Sequence, residues 1–286
     1  MINIEQLSVF TINPYKNFLY ESTFRLLASL DTDYIPLGAS IGGVPAGAIA
    51  GWLDQKTKIA LVVSIYVSKK FRRRGVGTAL LTAMTDIYKK TAADEIKMTF
   101  VSPEIPGDLQ AILKKLGWSE PAPFIHTFKM DKKIMESPLM KYRKLGPEYN
   151  YVIWKNFGAD EREALKNQKW YPDNLSPFRL EENEIAADYS LILKYKSEVA
   201  GWLIVTHEDE ETLFYHLAYV REDLQRLGRL MSLFLEAGSI QIAQNKYAYA
   251  AGRVNAKNTR MVTFTDKHLR PYTHKFETSY ESRKQL

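Results

Sequence analysis

Cysteine is missing from all 286 residues. Disulfides, thiolate nucleophiles and cysteine-held zinc or iron–sulfur centres are excluded with it. A thiol-free chain fits a reducing compartment, and a cytoplasmic location is the expectation. No apolar run approaches the ~20 residues that span a bilayer as a helix. The opening "MINIEQLSVF" has no basic segment ahead of an apolar one, so no membrane association and no secretory leader is expected. Neither a G-x-x-x-x-G-K-[ST] loop nor a three-glycine dinucleotide fingerprint occurs. The five histidines show no zinc-ligand spacing with a partner carboxylate, so no metal is expected. A nucleic-acid reader motif is also absent. The net charge of +6 suits an anionic ligand, yet basic residues are interleaved with acidic runs at 181–184 and 208–211, and no nucleic-acid partner is expected.

What is present is an ordinary globular composition, 45% hydrophobic and 25% charged, over a length suited to two domains. Residues 14–30 carry helical spacing of Phe18, Leu19, Phe24, Leu26 and Leu27. Gly42-Gly43 between two β-like runs signals a hairpin. "KIALVVSIYV" (58–67) is a nearly continuous β-branched run, the mark of a strand covered on both faces. It leads into "FRRRGVGTALLTAM" (71–84), where Val76, Leu80, Leu81, Met84 and Ile87 form one helical stripe. A strand at 96–102, a short helix at 108–116 and a strand at 124–130 follow. Residues 131–148 are charged and weakly periodic, with two prolines and a glycine, and read as a linker. Beyond them the pattern restarts with a helix, a loop "WYPDNLSP" (170–177), three strands, then helix, strand and helix.

The restart can be aligned with the first half. Val67 matches Val220, Phe71 matches Leu224, Arg72 matches Gln225, Gly75 matches Gly228 and Leu80 matches Leu233, all at an offset of 153 (220 − 67). Upstream, Ala46-Gly47 matches Ala200-Gly201 at 154 (201 − 47). A repeat this long implies two similar domains rather than a solenoid. The division predicted is 1–130, a linker at 131–148, and 149–286.

Arg72, Arg73, Arg74, Gly75, Val76, Gly77 and Thr78 stand between a buried strand and a helix. A helix N-terminus presents unpaired N–H groups and a positive dipole end, and so attracts phosphate. Glycine lets the backbone approach a ligand, and arginines add charge-assisted contacts.

"RRRGVG" (72–77) resembles the Q/R-x-x-G-x-G/A signature of the GNAT acyltransferase superfamily, and "LKKLGW" (113–118) is similar to that family's "YEKLGF" ending. The resemblance implies two tandem α/β (α+β) domains, each a mixed, mostly antiparallel sheet flanked by helices. It implies acetyl-CoA as co-substrate, its pyrophosphate on residues 72–78 and its pantetheine arm against Ile65, Tyr66 and Val67. The function implied is N-acetyl transfer to a small-molecule or peptide amine; the alternative is a non-catalytic acyl-CoA-binding or interaction protein. In the second half Leu230 replaces Gly77, so a second site at Gln225, Arg226, Gly228 and Arg229 is expected to be degenerate. The family's usual acid and base positions hold Leu61 and Leu113, and Phe214 and Thr265 in the repeat. Substitute catalytic candidates are Ser64, Tyr66 and His216. A histidine in an apolar strand is more often a core residue, and this is the competing reading for His216. The aromatic loop at 170–177, with Tyr272 and Tyr280, suits either an acceptor pocket or plain packing. Either a monomer or a homodimer is expected, since an internal tandem supplies the pairing that single-domain relatives obtain by dimerising.

Overall fold

In the computed structural model, which describes residues 1–28, 34–102, 105–225 and 228–286, the first half runs β1 (Ile2–Gln6), α1 (Glu21–Ala28), β2 (Tyr34–Ile41), β3 (Val44–Asp54), β4 (Ile59–Val67), α2 (Val76–Tyr88), β5 (Glu95–Val101), α3 (Gly107–Lys115) and β6 (Ala122–Met130). The second runs β7 (Tyr149–Ile153), α4 (Ala159–Lys166), β8 (Leu191–Tyr195), β9 (Glu198–His207), β10 (Thr212–Val220), α5 (Arg229–Gln244), β11 (Tyr249–Asn255), α6 (Thr259–Phe264) and β12 (Thr273–Gln285). The turn between β2 and β3 uses Gly42 and Gly43 at φ 59° and 77°, the positive values a two-residue hairpin requires. The helical spacing at 14–30 resolves into a 3-10 turn at Asn13–Phe18 followed by α1, and residues 29–30 lie outside the described residues.

Each unit has the same strand order. In the first, β1, β2, β3 and β4 pair antiparallel in sequence, and β5 joins β4 in parallel. In the second, β7, β8, β9 and β10 do the same, and β11 joins β10 in parallel. The next strand in each unit comes from the far half of the sequence. Ser279 to Gln285 of β12 pair with β5, while Ile125 to Met130 of β6 pair with β11.

Contacts accordingly divide the chain into Met1–Phe124 with Thr278–Leu286, and Ile125–Glu277. These bounds differ from the sequence division at three places. Residues 125–130 fall in the second unit because their hydrogen bonds go to β11, and residues 278–286 fall in the first because theirs go to β5. Residues 131–148 are no free tether. They form 3-10 turns at Lys132–Glu136 and Pro138–Tyr142, and Leu139 is buried with Met130, Leu235 and Leu269.

The periodic stripe of α2 is the core of the first unit, with Val76, Leu80, Leu81 and Met84 buried against Ile49, Val62 and Ile96. In the second unit Leu233 and Ala237 of α5 pack on Leu203 and Leu213. The aromatic side chains of the loop at 170–177 pack on β9 and β10. Trp170 lies 5.3 Å from Trp202 and 5.9 Å from Tyr219, centroid to centroid, and Tyr171 donates its hydroxyl to Leu165 O at 3.0 Å.

Candidate functional site

β4 carries one more residue than its partner. Ala50 pairs with Ser64 and Gly51 with Val62, so Val63 is a bulge. A bulge bends its strand and turns it away from a neighbour. Parallel pairing with β5 ends at the same point, its last pair being Val62 with Met98. Beyond it, among the described residues, Ser64, Ile65, Tyr66 and Val67 keep β3 on one edge and pair with no strand on the other. The sheet thus opens toward the end of β4.

That opening leads to the loop. Gly75 caps α2 at φ 82°, the left-handed region where a side chain is strained, and a Cβ there would find only Ile2 Cδ1 at 3.7 Å. Gly77 serves a different end. A Cβ on it would touch Ile112 Cδ1 at 3.5 Å and Val67 Cγ2 at 3.7 Å, so anything longer has to enter the space between β4 and α3. The first N–H groups of α2 have no intrahelical acceptor and point out of this end of the helix. Arg72 ties the loop to the strand by donating Nε–H to Val67 O at 3.2 Å, and its guanidinium lies 5.8 Å from the Tyr66 ring. Tyr66 is exposed and stacks on Phe18 at 6.0 Å. Arg73, at φ 60°, reaches Asp108 at 3.6 Å in an exposed ion pair of little energetic weight. Arg74 lies 5.9 Å from the Phe71 ring. Ser64 is buried, and Leu113 is fully so.

The second unit repeats the frame. His216 is the bulge of β10, between the pairs Tyr215–Val205 and Leu217–Ile204, and it stands 153 residues (216 − 63) beyond Val63. Parallel pairing with β11 ends at Phe214. Gln225 donates Nε2–H to Val220 O at 2.9 Å, the place of the Arg72 bond, and Gly228 caps α5 at φ 75°. The surroundings are closed, however. Tyr142 Cδ1 lies 2.7 Å from where a Cβ on Gly228 would stand, Arg229 is stacked on the Tyr149 ring at 4.5 Å, and Leu230 packs against the core. Arg226 lies outside the described residues.

His216 is exposed, against the expectation of a core residue, because the bulge turns it out of the strand's alternation. It lines a polar cleft with Glu184, His207, Glu208, Phe214 and Arg253. Burial by the cleft walls pushes its pKa below the ordinary value, while Glu184 acts in the opposite direction. Arg253 donates to Glu208 Oε1 at 2.9 Å and covers the Phe214 ring at 4.5 Å. Ser64 and Tyr66 belong to the first unit and His216 to the second. Among the described residues no group of three or more histidine, aspartate or glutamate side chains is placed to hold a metal ion.

The bulge, the opened strand pair and the left-handed glycine cap coincide with the region matched by the model of the acetyltransferase (GNAT) family, residues 4–117. Over that span the chain is similar to the GNAT acetyltransferases. The GNAT fold extends over both units. A tandem GNAT protein from the clavulanic acid biosynthesis pathway aligns over 99% of this chain and 98% of its own, at TM-score 0.64 and 14% identity. A GCN5-related N-acetyltransferase from Sphaerobacter thermophilus aligns over 99% and 95%, also at 0.64 and 14%. A glucosamine N-acetyltransferase region of a fungal multi-domain beta-N-acetylglucosaminidase aligns over 99% of this chain and 38% of that one, at 0.65 and 15%. No curated protein sequence matches the chain. Acyl transfer is the chemistry of the GNAT family, and no helix among the described residues is long and apolar enough to cross a membrane.

Sequence reasoning missed several neighbours of the GNAT loops. Phe18 and Asp108 come from elements far along the chain, and Tyr142 comes from the segment read as linker. Only the bulge at His216 left a signal, its alignment with Val63 at the repeat offset.

Proposed function

We propose that the protein is an N-acetyltransferase that takes an acetyl group from acetyl-CoA in the first unit and passes it to a primary amine. The observation that carries this reading is the free edge of β4 beyond Val62, running into a helix N-terminus whose glycines leave the approach open. Ile65, Tyr66 and Val67 offer backbone groups to the amide-bearing arm of the cofactor. The N–H groups of Val76, Gly77 and Thr78, with Arg72, Arg73 and Arg74, meet its pyrophosphate.

In the reaction the amine nitrogen attacks the thioester carbonyl carbon, a C–N bond forms, and the C–S bond breaks. The nitrogen gives up its proton to water, and the departing thiolate takes one. Leu61 and Leu113 stand where the family resemblance implies base and acid, and neither transfers a proton. Positioning by strand amides and the helix end therefore supplies most of the rate. Tyr66, exposed on the free strand, is the candidate acid, and Ser64 is too buried to reach an acceptor. Leu61 and Leu113 also favour the second reading, a protein that binds acyl-CoA without turning it over.

Calorimetric titration with acetyl-CoA tests the site, with Gly77→Leu as control. One binding site, lost in the variant, is the expected result. Two sites would show that the second unit binds as well, and none would end the acetyltransferase reading. Release of free CoA thiol in the presence of amines separates catalysis from binding alone.

A further inference from the structure

The cleft beside the bulge of β10 has a volume of about 360 Å³, within the ~300–1,000 Å³ of small-molecule sites. It lies where β10 and β11 part. Their last pair is Phe214 with Ala251, and His216 and Arg253 each stand two residues beyond it, one on each strand. The buried Phe214 ring orients both. His216 meets it edge-on at 5.6 Å, and the Arg253 guanidinium lies 4.5 Å from its centre. A bridge between Ile185 and Thr206 sets Glu184 beside the end of β9.

The shared frame of the two units does not call for this polarity. In the first unit Leu61 pairs with Lys97 as Phe214 pairs with Ala251 in the second. The counterparts of His216 and Arg253 are therefore Val63 and Thr99, and neither is charged.

The polar groups of the cleft are accessible and keep free bonding capacity. The Arg253 side chain is 48% exposed, and beyond its bond to Glu208 Oε1 the guanidinium has no acceptor among the described residues. Glu184 accepts the backbone N–H of Glu181 at 2.8 Å with one oxygen, and among the described residues it pairs with no lysine or arginine. His216 is exposed. Burial by the cleft walls holds it below its ordinary pKa, so near neutral pH the ring accepts at one nitrogen and donates from the other. Charges of both signs act on that ring, Glu184 and Glu208 against Arg253 and Arg179. A lone anion in the cleft would meet the carboxylates, and a lone cation the guanidinium groups, each at an electrostatic cost. A ligand that carries one charge of each sign finds a partner for both.

We propose that this cleft binds a small amino acid as its zwitterion, the carboxylate accepting from Arg253 and the ammonium donating to Glu184 and to the His216 ring. The proposal does not rest on acetyl transfer in the first unit.

The test is an NMR titration of the full chain near neutral pH, read at the His216 ring nitrogens and the Arg253 Nε–H. The probes are glycine, β-alanine and 4-aminobutyrate, which differ in charge spacing, with propylamine and propionate carrying one charge each. Saturable shifts are expected with at least one of the amino acids, at an affinity about tenfold above both single-charge probes. Arg253→Gln should weaken that amino acid about tenfold and leave propylamine no weaker. Glu184→Gln should weaken the amino acid similarly and leave propionate no weaker. Should either variant fail to fold, the ranking of the probes on the wild type decides alone. Propylamine or propionate binding as tightly as every amino acid would overturn the proposal in favour of a site for a single charge. No saturable response to any of the amino acids would overturn it as well, leaving a solvated cleft.

Discussion

Gly47 and Gly201 stand one in each unit, and a Cβ on either would lie 2.5 Å from a carbonyl oxygen, that of Tyr66 in the first and of Tyr219 in the second. The bond that follows is also shared, Ser68 N–H donating to Ala46 O at 2.9 Å and Arg221 N–H to Ala200 O at 2.8 Å. Bulges fall at equivalent places on β4 and β10, and both helix caps are left-handed glycines. The loop positions between strand and helix do not agree. Gly77 is replaced by Leu230, Arg72 by Gln225, and the open side of Gly75 by the ring of Tyr142 on Gly228. The fold requires the strand approach, the bulge and the turn, so both units keep them. An anion site further requires open backbone, and the Gly228 turn differs from the Gly75 turn there, with the Tyr142 ring against it and Leu230 in place of Gly77.

The largest expected effect separates the units altogether. Removing residues 278–286 takes from the first unit the strand that pairs with β5 over Ser279 to Gln285, and with it the buried Ser282, which donates to Ser119 O at 2.7 Å. The exposed edge of β5 would then invite aggregation. Hydrogen exchange by mass spectrometry should show protection lost across β4, β5 and α2 but kept across β8, β9 and β10. Equal loss in both units would mean that the strand exchange stabilises the whole chain, and the comparison of two separate frames would fail.

The next effect should be the same in both. Gly47→Ala and Gly201→Ala each force a methyl group onto backbone that cannot yield, at a cost of about 1–3 kcal/mol, the range for overpacking. Urea unfolding of the two variants should give matching losses. A loss confined to Gly47→Ala would show that the second unit has relaxed more than its geometry implies.

A smaller change converts one loop toward the other. Arg72→Gln preserves a donor for Val67 O, as Gln225 does for Val220 O, and removes only the charge. Acetyl-CoA affinity should fall about tenfold, the worth of one charge-assisted contact, with Tm unchanged. Calorimetry showing no change in affinity would assign Arg72 to tethering alone.

Much of this was legible in the sequence, for reasons that differ by element. The stripe of α2 and the run of β4 have strong periodicity, and both glycine caps were marked by their place between strand and helix. β12 was not legible. "THKFETSYESRKQ" has no apolar alternation, because most of its side chains are only partly covered and its pairing, not its burial, makes it a strand. The segment at 131–148 misled in the opposite way, its charges hiding Leu139 in a core. Tyr142 over Gly228 joins residues 86 apart (228 − 142), and no local pattern announces such a contact.

The smallest effect concerns the one titratable group that the repeat introduces at a bulge. Val63 cannot ionise, whereas His216 has its pKa held below the ordinary value, chiefly by burial, with Arg253 and Arg179 adding to the shift and Glu184 and Glu208 opposing it. The folded chain therefore binds fewer protons there than the unfolded one. The group leaves stability intact above the unfolded pKa of ~6.5, and stability is lost as pH falls through the lower folded value. His216→Gln removes that dependence. Urea unfolding between about pH 7.5 and about pH 5 should show a steeper acid loss for the wild type than for the variant, with the two curves parallel above about pH 7. The difference should be confined to the second unit, where hydrogen exchange in β10 reports it. A steeper loss in the variant would mean that His216 is stabilised by charging, with Glu184 outweighing burial, and its cleft would then be a site that favours a cation.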